Sequence, residues 1–267
     1  MSVNILYLAE IVGKGGIFAV KRLLPGLKAE FGAAAVIANA NGATGGAGLG
    51  KAHALYLRKL GIDVVTTGEA AFFKKDILEV FPKSHWLLRP ENYPTEVPGR
   101  GVRIVDLGGF RLAVMQLLGQ SGFSRVHLAN PFRLFDELYP RLKAACDAIL
   151  VDFHAATTAE KNSFFQHVAG RAAAVIGSNA RTQTADARIL SPGTAVITDA
   201  GRCGSLCSVG GLDAGTRIAE YLSGIPSWAK DSSNQLEVQA VLITLEVDGR
   251  ASAIRSLRLP CKEAFND

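Results

Sequence analysis

"AAAVIGSNAR", residues 172–181, is the stretch whose reading decides the fold. Its first half, Ala172–Ile176, is a continuous apolar run, the pattern of a strand buried on both faces. Gly177 ends the run, and Asn179 and Arg181 then stand one residue apart on a loop. Loops just past the ends of buried strands carry much of the chemistry of α/β proteins, because parallel strand ends meet along one rim.

Outward from this stretch, short β-rich runs alternate with helical patterns. Strands are expected at Val3–Leu8, Ala34–Ala38, Asp63–Thr67, Ala148–Phe153 and Ala195–Thr198. Helices are expected at Ile17–Phe31 (with Pro25 bending or interrupting it), Lys51–Leu60, Phe73–Phe81, Pro131–Ala145, Thr158–Val168 and Leu212–Leu222. Val102–Asp106 and Phe110–Gln116 read as a hairpin across Gly108–Gly109, and Leu236–Val247 and Ala251–Leu259 as another around Asp248–Gly249. The alternation argues an α/β sheet protein with some antiparallel edges. No linker divides the chain, so one domain over 1–267 is expected; Leu88–Gly101, rich in Pro and Gly, reads as a long loop.

The 267 residues, 48% hydrophobic and 20% charged, suit an ordinary globular protein with a substantial core. No run approaches the ~20 apolar residues of a membrane span, and the first residues read as a strand rather than a signal peptide. Four cysteines without a dense framework fit a reducing cytoplasm. The charge of +5 permits attraction to phosphates, but the basic residues are scattered and seldom interleave with aromatics, which speaks against a nucleic-acid partner.

Polar residues gather at five strand ends: Glu10, Asn39 with Asn41, Glu69, His154, and Asn179 with Arg181. Each alone has a bland reading as a loop, cap or core residue. Together on one rim they make a candidate site.

Several strings resemble the YmdB-like branch of the calcineurin-type metallophosphoesterases. They are "AEIVGKGG" (9–16), "IANANGATGGAGL" (37–49), "VVTTGEAAFFKKDI" (64–77), "LLRPENYP" (87–94), "FHAATTAEK" (153–161), "QTADARILSPGTAVITDAG" (183–201) and "GGLD" (210–213). The resemblance implies a metallophosphoesterase-like four-layer α/β/β/α sandwich with mixed sheets. Two divalent metals at the strand rim would activate a water against a phosphodiester such as a cyclic nucleotide. It also implies self-association, without naming a surface.

The chain departs from the family's ligand pattern. The first-strand Asp corresponds to Glu10, and the bridging Glu and following Asn fall on Asn41 and Gly42. The metal-binding Asn and catalytic His correspond to Glu69 and Ala70. His154 survives, and the paired ligand histidines read Asn179 and Arg181. An amide cannot replace a bridging carboxylate, Ala70 has no acid for the leaving oxygen, and a guanidinium cannot coordinate a cation. A Glu10–Arg181 ion pair is therefore expected, with Glu69 a candidate second carboxylate, no catalytic residue and no metal ion.

The expectation is a pseudoenzyme, not an enzyme: a protein-binding or self-assembling cytoplasmic scaffold with a lost metal site and an unidentified protein partner. One alternative is a weak phosphodiesterase with a single Mn²⁺ or Mg²⁺ on Glu10, Glu69 and His154, helped by Asn39, Asn41 and Asn179. Another is a non-hydrolysing nucleotide or phosphate sensor using Arg181 and Asn39. Cys203 and Cys207 read as buried or idle thiols, and the glycine-rich 40–50 lacks the Lys-Ser/Thr of a phosphate loop.

Overall fold

The computed structural model describes residues 2–263 and 265. Among them, thirteen strands and five helices follow in chain order. These are β1 Ser2–Leu8, β2 Glu10–Ile11, α1 Gly13–Phe31, β3 Ala33–Asn39, α2 Lys51–Lys59 and β4 Val64–Thr66. Next come β5 Val102–Asp106, β6 Arg111–Leu118, α3 Pro131–Ala145, β7 Ala148–His154, α4 Thr158–Val168 and β8 Ala174–Ser178. The chain continues through β9 Arg188–Leu190, β10 Thr194–Ile197, β11 Arg202–Ser205, α5 Ala214–Ser223, β12 Leu236–Glu246 and β13 Ala251–Pro260.

Two mixed sheets form. The first has seven strands, ordered β2-β11-β12-β1-β3-β4 with β13 on the outside of β12. The second has six, ordered β5-β6-β7-β8-β10-β9. β1, β3 and β4 run parallel, as do β6, β7, β8 and β10; the hairpins β5–β6 and β12–β13 supply antiparallel edges.

Period-2 alternation makes the layers. On β6 and β7, Leu112, Val114 and Leu150 point into one core with Ile5, Tyr7 and Ile37 of the first sheet, whose other face, with Leu6 and Val36, packs on Val20 and Leu24 of α1. Their neighbours Met115, Val151 and Phe153 point the other way, onto Phe135 of α3 and Phe164 of α4. The sheets therefore face each other with helices outside both, the expected four-layer sandwich. This explains the unbroken apolar run at 172–176: β8 is central and both its faces are covered.

Alternation also sets the site. Following Leu150 inward along β7 by twos reaches Asp152 and His154, so the strand's last inward positions carry polar groups at the carboxyl ends of the parallel strands. One expected helix is absent: 73–81 forms two short 3₁₀ segments, Lys75–Glu79 and Phe81–Lys83. Pro82 breaks any longer helix, and Asp76 turns to accept the backbone N–H of Lys51 at 3.1 Å. Pro25 stays inside α1, which continues past it to the left-handed Gly32 cap. The 88–101 loop is held by Arg89, whose guanidinium donates to the carbonyls of Pro90, Val97 and Pro98.

Candidate active site

Each of the five strand ends delivers a side chain into one buried polar cluster. Arg181 donates from Nε and Nη2 to Glu10 Oε1, at 2.9 and 2.7 Å. The expected ion pair is present, with the Glu10 side chain only 1% exposed. Nη2 also donates to the carbonyl of Gly46 at 2.8 Å, and Nη1 to that of Gly210 at 3.2 Å. These four bonds leave one of the guanidinium's five N–H groups. Arg181 is thus an internal cation more than an anchor for an incoming phosphate.

Gly42 makes this arrangement possible. A Cβ there would sit 2.8 Å from Arg181 Nη2 and 2.9 Å from Glu10 Oε1. Two departures read separately in the sequence, Gly42 and Arg181, are one packing event: the glycine vacates the space that the guanidinium fills.

The loop is shaped for it. Asn179 and Arg181 both adopt positive φ, +104° and +56°. Such conformations cost non-glycine residues roughly 1–3 kcal/mol each and persist only where the surroundings over-determine them. Here Asp199 Oδ2 accepts the Ala180 N–H at 2.8 Å and the Lys161 ammonium at 2.8 Å. Lys161 is 1% exposed and Asp199 fully buried. Sequence reasoning missed both, although they lie inside the strings 153–161 and 183–201. A lysine within a helix gives no local sign that its ammonium is buried.

Glu69 does not join Arg181. Its Oε2 lies 2.6 Å from His154 Nε2 and accepts from Asn41 Nδ2 at 2.9 Å. On the other side of the ring, Nδ1 meets Ser178 Oγ at 2.8 Å, and that hydroxyl donates to Asp152 Oδ1 at 2.7 Å. With its proton directed to Asp152, Ser178 Oγ is placed to accept from Nδ1–H while Nε2 faces Glu69, an arrangement that favours the doubly protonated ring. Burial pulls its pKa down, but Glu69, with help from Glu10 and Asp152, raises it above the ordinary value. Burial pushes Glu69 up, yet His154 by charge and hydrogen bond outweighs it and holds the carboxyl at about 2. Burial raises the pKa of Glu10, against the pull of Arg181.

Asn39 is fully buried, donating to Thr67 O, Asp152 and Ser178 and accepting from Asn41 N. Its expected phosphate contact has no open donor. Asn41 spends Oδ1 on the Ala70 N–H. Asn179 is half-buried at the loop, outside the cluster of bonded side chains. Cys203 is buried, with its thiol pushed up to about 12 by burial, while Cys207 is exposed; neither is bonded to a partner cysteine.

A cavity of about 220 Å³ opens beside Glu69, lined by Phe73, Phe123 and Arg125 among others. Phe123 lies nearly parallel to the His154 ring, with centroids 6.2 Å apart. The Arg125 guanidinium lies 5.2 Å over the Phe73 ring and makes no ion pair among the described residues. Sequence reading gave none of the three a role in the site, although Phe73 stands beside the altered ligand position; the 121–127 loop has no periodic signal.

Two facing mixed sheets with a polar cluster at the strand ends define a metallophosphoesterase fold. NAD nucleotidase of Haemophilus influenzae superposes with a TM-score of 0.61 over 97% of this chain and 50% of that one, at 11% identity, a likeness of fold alone. The chain belongs to the YmdB-like protein family, whose model matches residues 6–257. It is 33% identical to the 2',3'-cyclic-nucleotide 2'-phosphodiesterase of Bacillus subtilis over 96% of both chains. The structure of a phosphatase from Mycoplasma pneumoniae superposes with a TM-score of 0.92, at 30% identity, over 97% of this chain and 94% of that one.

These relatives correct the expectation of a pseudoenzyme scaffold. Chains so similar over almost their whole length are named as a phosphodiesterase and a phosphatase, against the expected non-enzyme with a lost metal site and against the non-hydrolysing sensor.

Metallophosphoesterases use metal ions, and the donor chemistry here tests the fit. Glu10 Oε2 is buried without a hydrogen-bond partner, a free donor atom, but its other oxygen is held by a guanidinium. Asn41 turns its amide nitrogen, not its oxygen, toward Glu69. Among the described residues no group of three or more His, Cys, Asp or Glu is set to hold a metal ion. The residues as arranged do not fit two divalent ions, whose charge Arg181 would oppose.

Proposed function

We propose that this protein hydrolyses a small phosphodiester of the cyclic-nucleotide class, slowly, at the Glu69–His154 pair. The observation that carries the reading is the pair of buried His154 and half-buried Glu69, which opens through Glu69 onto a cavity lined by two aromatic rings and by an arginine with no ion pair among the described residues. The name of the Bacillus relative supports the substrate class.

The roles follow from charge and position. Arg125 is the cation available to a phosphate in the cavity, since Arg181 is spent on Glu10 and two carbonyls. Phe73 and Phe123 offer apolar faces to a ring of the substrate. At about 220 Å³ the cavity is below the usual range for drug-sized ligands, which favours a mononucleotide over a longer chain. Water attacks phosphorus, one P–O bond of the cyclic ester breaks, and the freed oxygen takes a proton. Glu69 accepts a hydrogen bond from the attacking water, while His154 steadies the carboxylate that touches it. A carboxyl held near 2 is a weak base, so this geometry supports a modest rate. The free cysteines support a reducing compartment such as the cytoplasm.

The test is incubation with 2',3'-cyclic AMP, with and without Mn²⁺, followed by chromatography of the products. A ring-opened monophosphate is expected, with kcat falling about 10²-fold or more in Glu69→Gln. KM should rise in Arg125→Ala. No product above the enzyme-free blank in either buffer overturns the proposal.

A further inference from the structure

A second polar cavity lies at the other end of the second sheet from the Glu69–His154 pair. It encloses about 230 Å³ where β7, β8 and β10 begin, beside the last turns of α3 and the β12–β13 turn. His154 and Ser178 close the far ends of β7 and β8, and the seven residues of β7 put roughly 20 Å between the two places. Close backbone contact fixes the wall. Gly249, at φ +79°, presses on the Asp147 carbonyl, where any Cβ would collide with the oxygen, and Gly193 makes room for the stem of Arg250. Three cations line the space. The Arg171 guanidinium donates to Asp136 Oδ1 and to the His167 carbonyl, both at 2.6 Å, and lies over the Phe135 and Tyr139 rings. It is held firmly, and three of its five N–H groups keep no bond among the described residues. The Lys143 ammonium lies 5.9 Å from the Tyr139 centroid and makes no ion pair among the described residues. Arg250 reaches Asp248 only loosely, at 3.8 Å. Two carboxylates share the wall. Asp147 accepts the Arg111 N–H at 2.7 Å and Asp248 the Arg250 N–H at 3.1 Å, each through one oxygen, which leaves further acceptor capacity on both.

We propose that this cavity binds a small sugar phosphate of pentose size, at a site separate from the catalytic one. The donor set selects the phosphate. A guanidinium fork and a free ammonium give one phosphate several charge-assisted hydrogen bonds at once. Three cations against two carboxylates leave the wall one charge positive, which favours an anion over a neutral sugar. The carboxylates select the rest of the ligand. A bare inorganic anion has few protons to give Asp147 and Asp248, whereas the hydroxyls of a sugar donate to them. The aromatic contacts exclude a nucleobase as the preferred group. Tyr139 already carries Arg171 and Lys143 against its ring, so no aromatic face stands free for stacking. Size agrees, since about 230 Å³ lies below the range of drug-sized pockets.

Isothermal titration calorimetry of the full chain with ribose 5-phosphate, inorganic phosphate and ribose tests the assignment. Ribose 5-phosphate should bind with a Kd below about 1 mM, and the other two at least roughly tenfold more weakly. Lys143→Ala and Arg250→Ala should each weaken the sugar phosphate about fivefold or more, while Arg125→Ala, in the other cavity, leaves this binding in place. Lys143 and Arg250 are exposed, so unchanged thermal melting of both variants shows that the fold survives. No binding of ribose 5-phosphate up to about 5 mM overturns the proposal. So does inorganic phosphate binding as tightly, which would leave the hydroxyl contacts without a role. Binding that survives both substitutions and is lost in Arg125→Ala belongs to the catalytic cavity and overturns it equally.

Discussion

Arg181→Ala is the sharpest perturbation of this molecule. It leaves the Glu10 carboxylate, 1% exposed, without its hydrogen-bonded cation, and removes the bonds that tie the 179–181 loop to Gly46 and Gly210. Removing one member of a buried pair costs about 3–5 kcal/mol, because the charge left behind keeps its desolvation penalty. For a chain of this size that lowers Tm by roughly 10 °C. The pH dependence carries the sign. Burial already raises the pKa of Glu10, and loss of Arg181 raises it further. A carboxyl whose folded pKa lies above its unfolded value binds its proton more tightly when folded. The variant is therefore relatively more stable in acid and loses stability as pH rises through the folded pKa. Urea titrations at pH 5 and pH 8, read by circular dichroism, should show a larger penalty at pH 8. Glu10→Gln added to Arg181→Ala should recover much of the loss, since neither member of that pair then leaves a buried charge. A single-variant cost below about 1 kcal/mol, equal at both pH values, would refute the reasoning.

Three further outcomes follow from the same geometry. The Glu69–His154 pair contributes fully above the unfolded carboxyl value of 4.5 and below the ordinary histidine value of 6.5; stability falls as pH drops toward about 2 and as it rises through the raised histidine pKa, and Glu69→Gln should flatten both limbs of a melting-temperature profile. Lys161→Ala strands buried Asp199 and should cost about 3–5 kcal/mol, measured by urea titration, with faster proteolysis of the 179–186 loop as its local mark. Gly16→Ala should destabilise by about 1–3 kcal/mol despite alanine's better helix propensity, because the added Cβ would meet the backbone carbonyl of Cys203 on β11; a gain in Tm would contradict that packing.

Much of the fold is legible in the chain because burial imposes periodicity. Continuous apolar runs mark the central strands β7 and β8, and Asp248–Gly249 marks the β12–β13 turn. The Glu10–Arg181 pair is legible as well, since a carboxylate and a guanidinium replace ligands on the same rim. The helix expected over 73–81 fails because apolar spacing gives no weight to Pro82 or to the pull of Asp76 on Lys51. The expectation of a non-enzyme fails for a deeper reason. Counting replaced ligands says what a site cannot do in the old way, and nothing of how its remaining groups combine.

What the sequence determined by itself is the order of strands and helices, which residues must be covered, and which polar groups stand at strand ends. Those are properties of local periodicity and composition. Partnership was decided only by the tertiary structure. It turned Glu69 toward His154 and not Arg181, spent Arg181 on Glu10 and two carbonyls, and brought Arg125 to the lining of the cavity from a loop without pattern. It also set α5 with its apolar stripe outward, since periodicity shows that a helix has two faces but only packing chooses which one meets the protein.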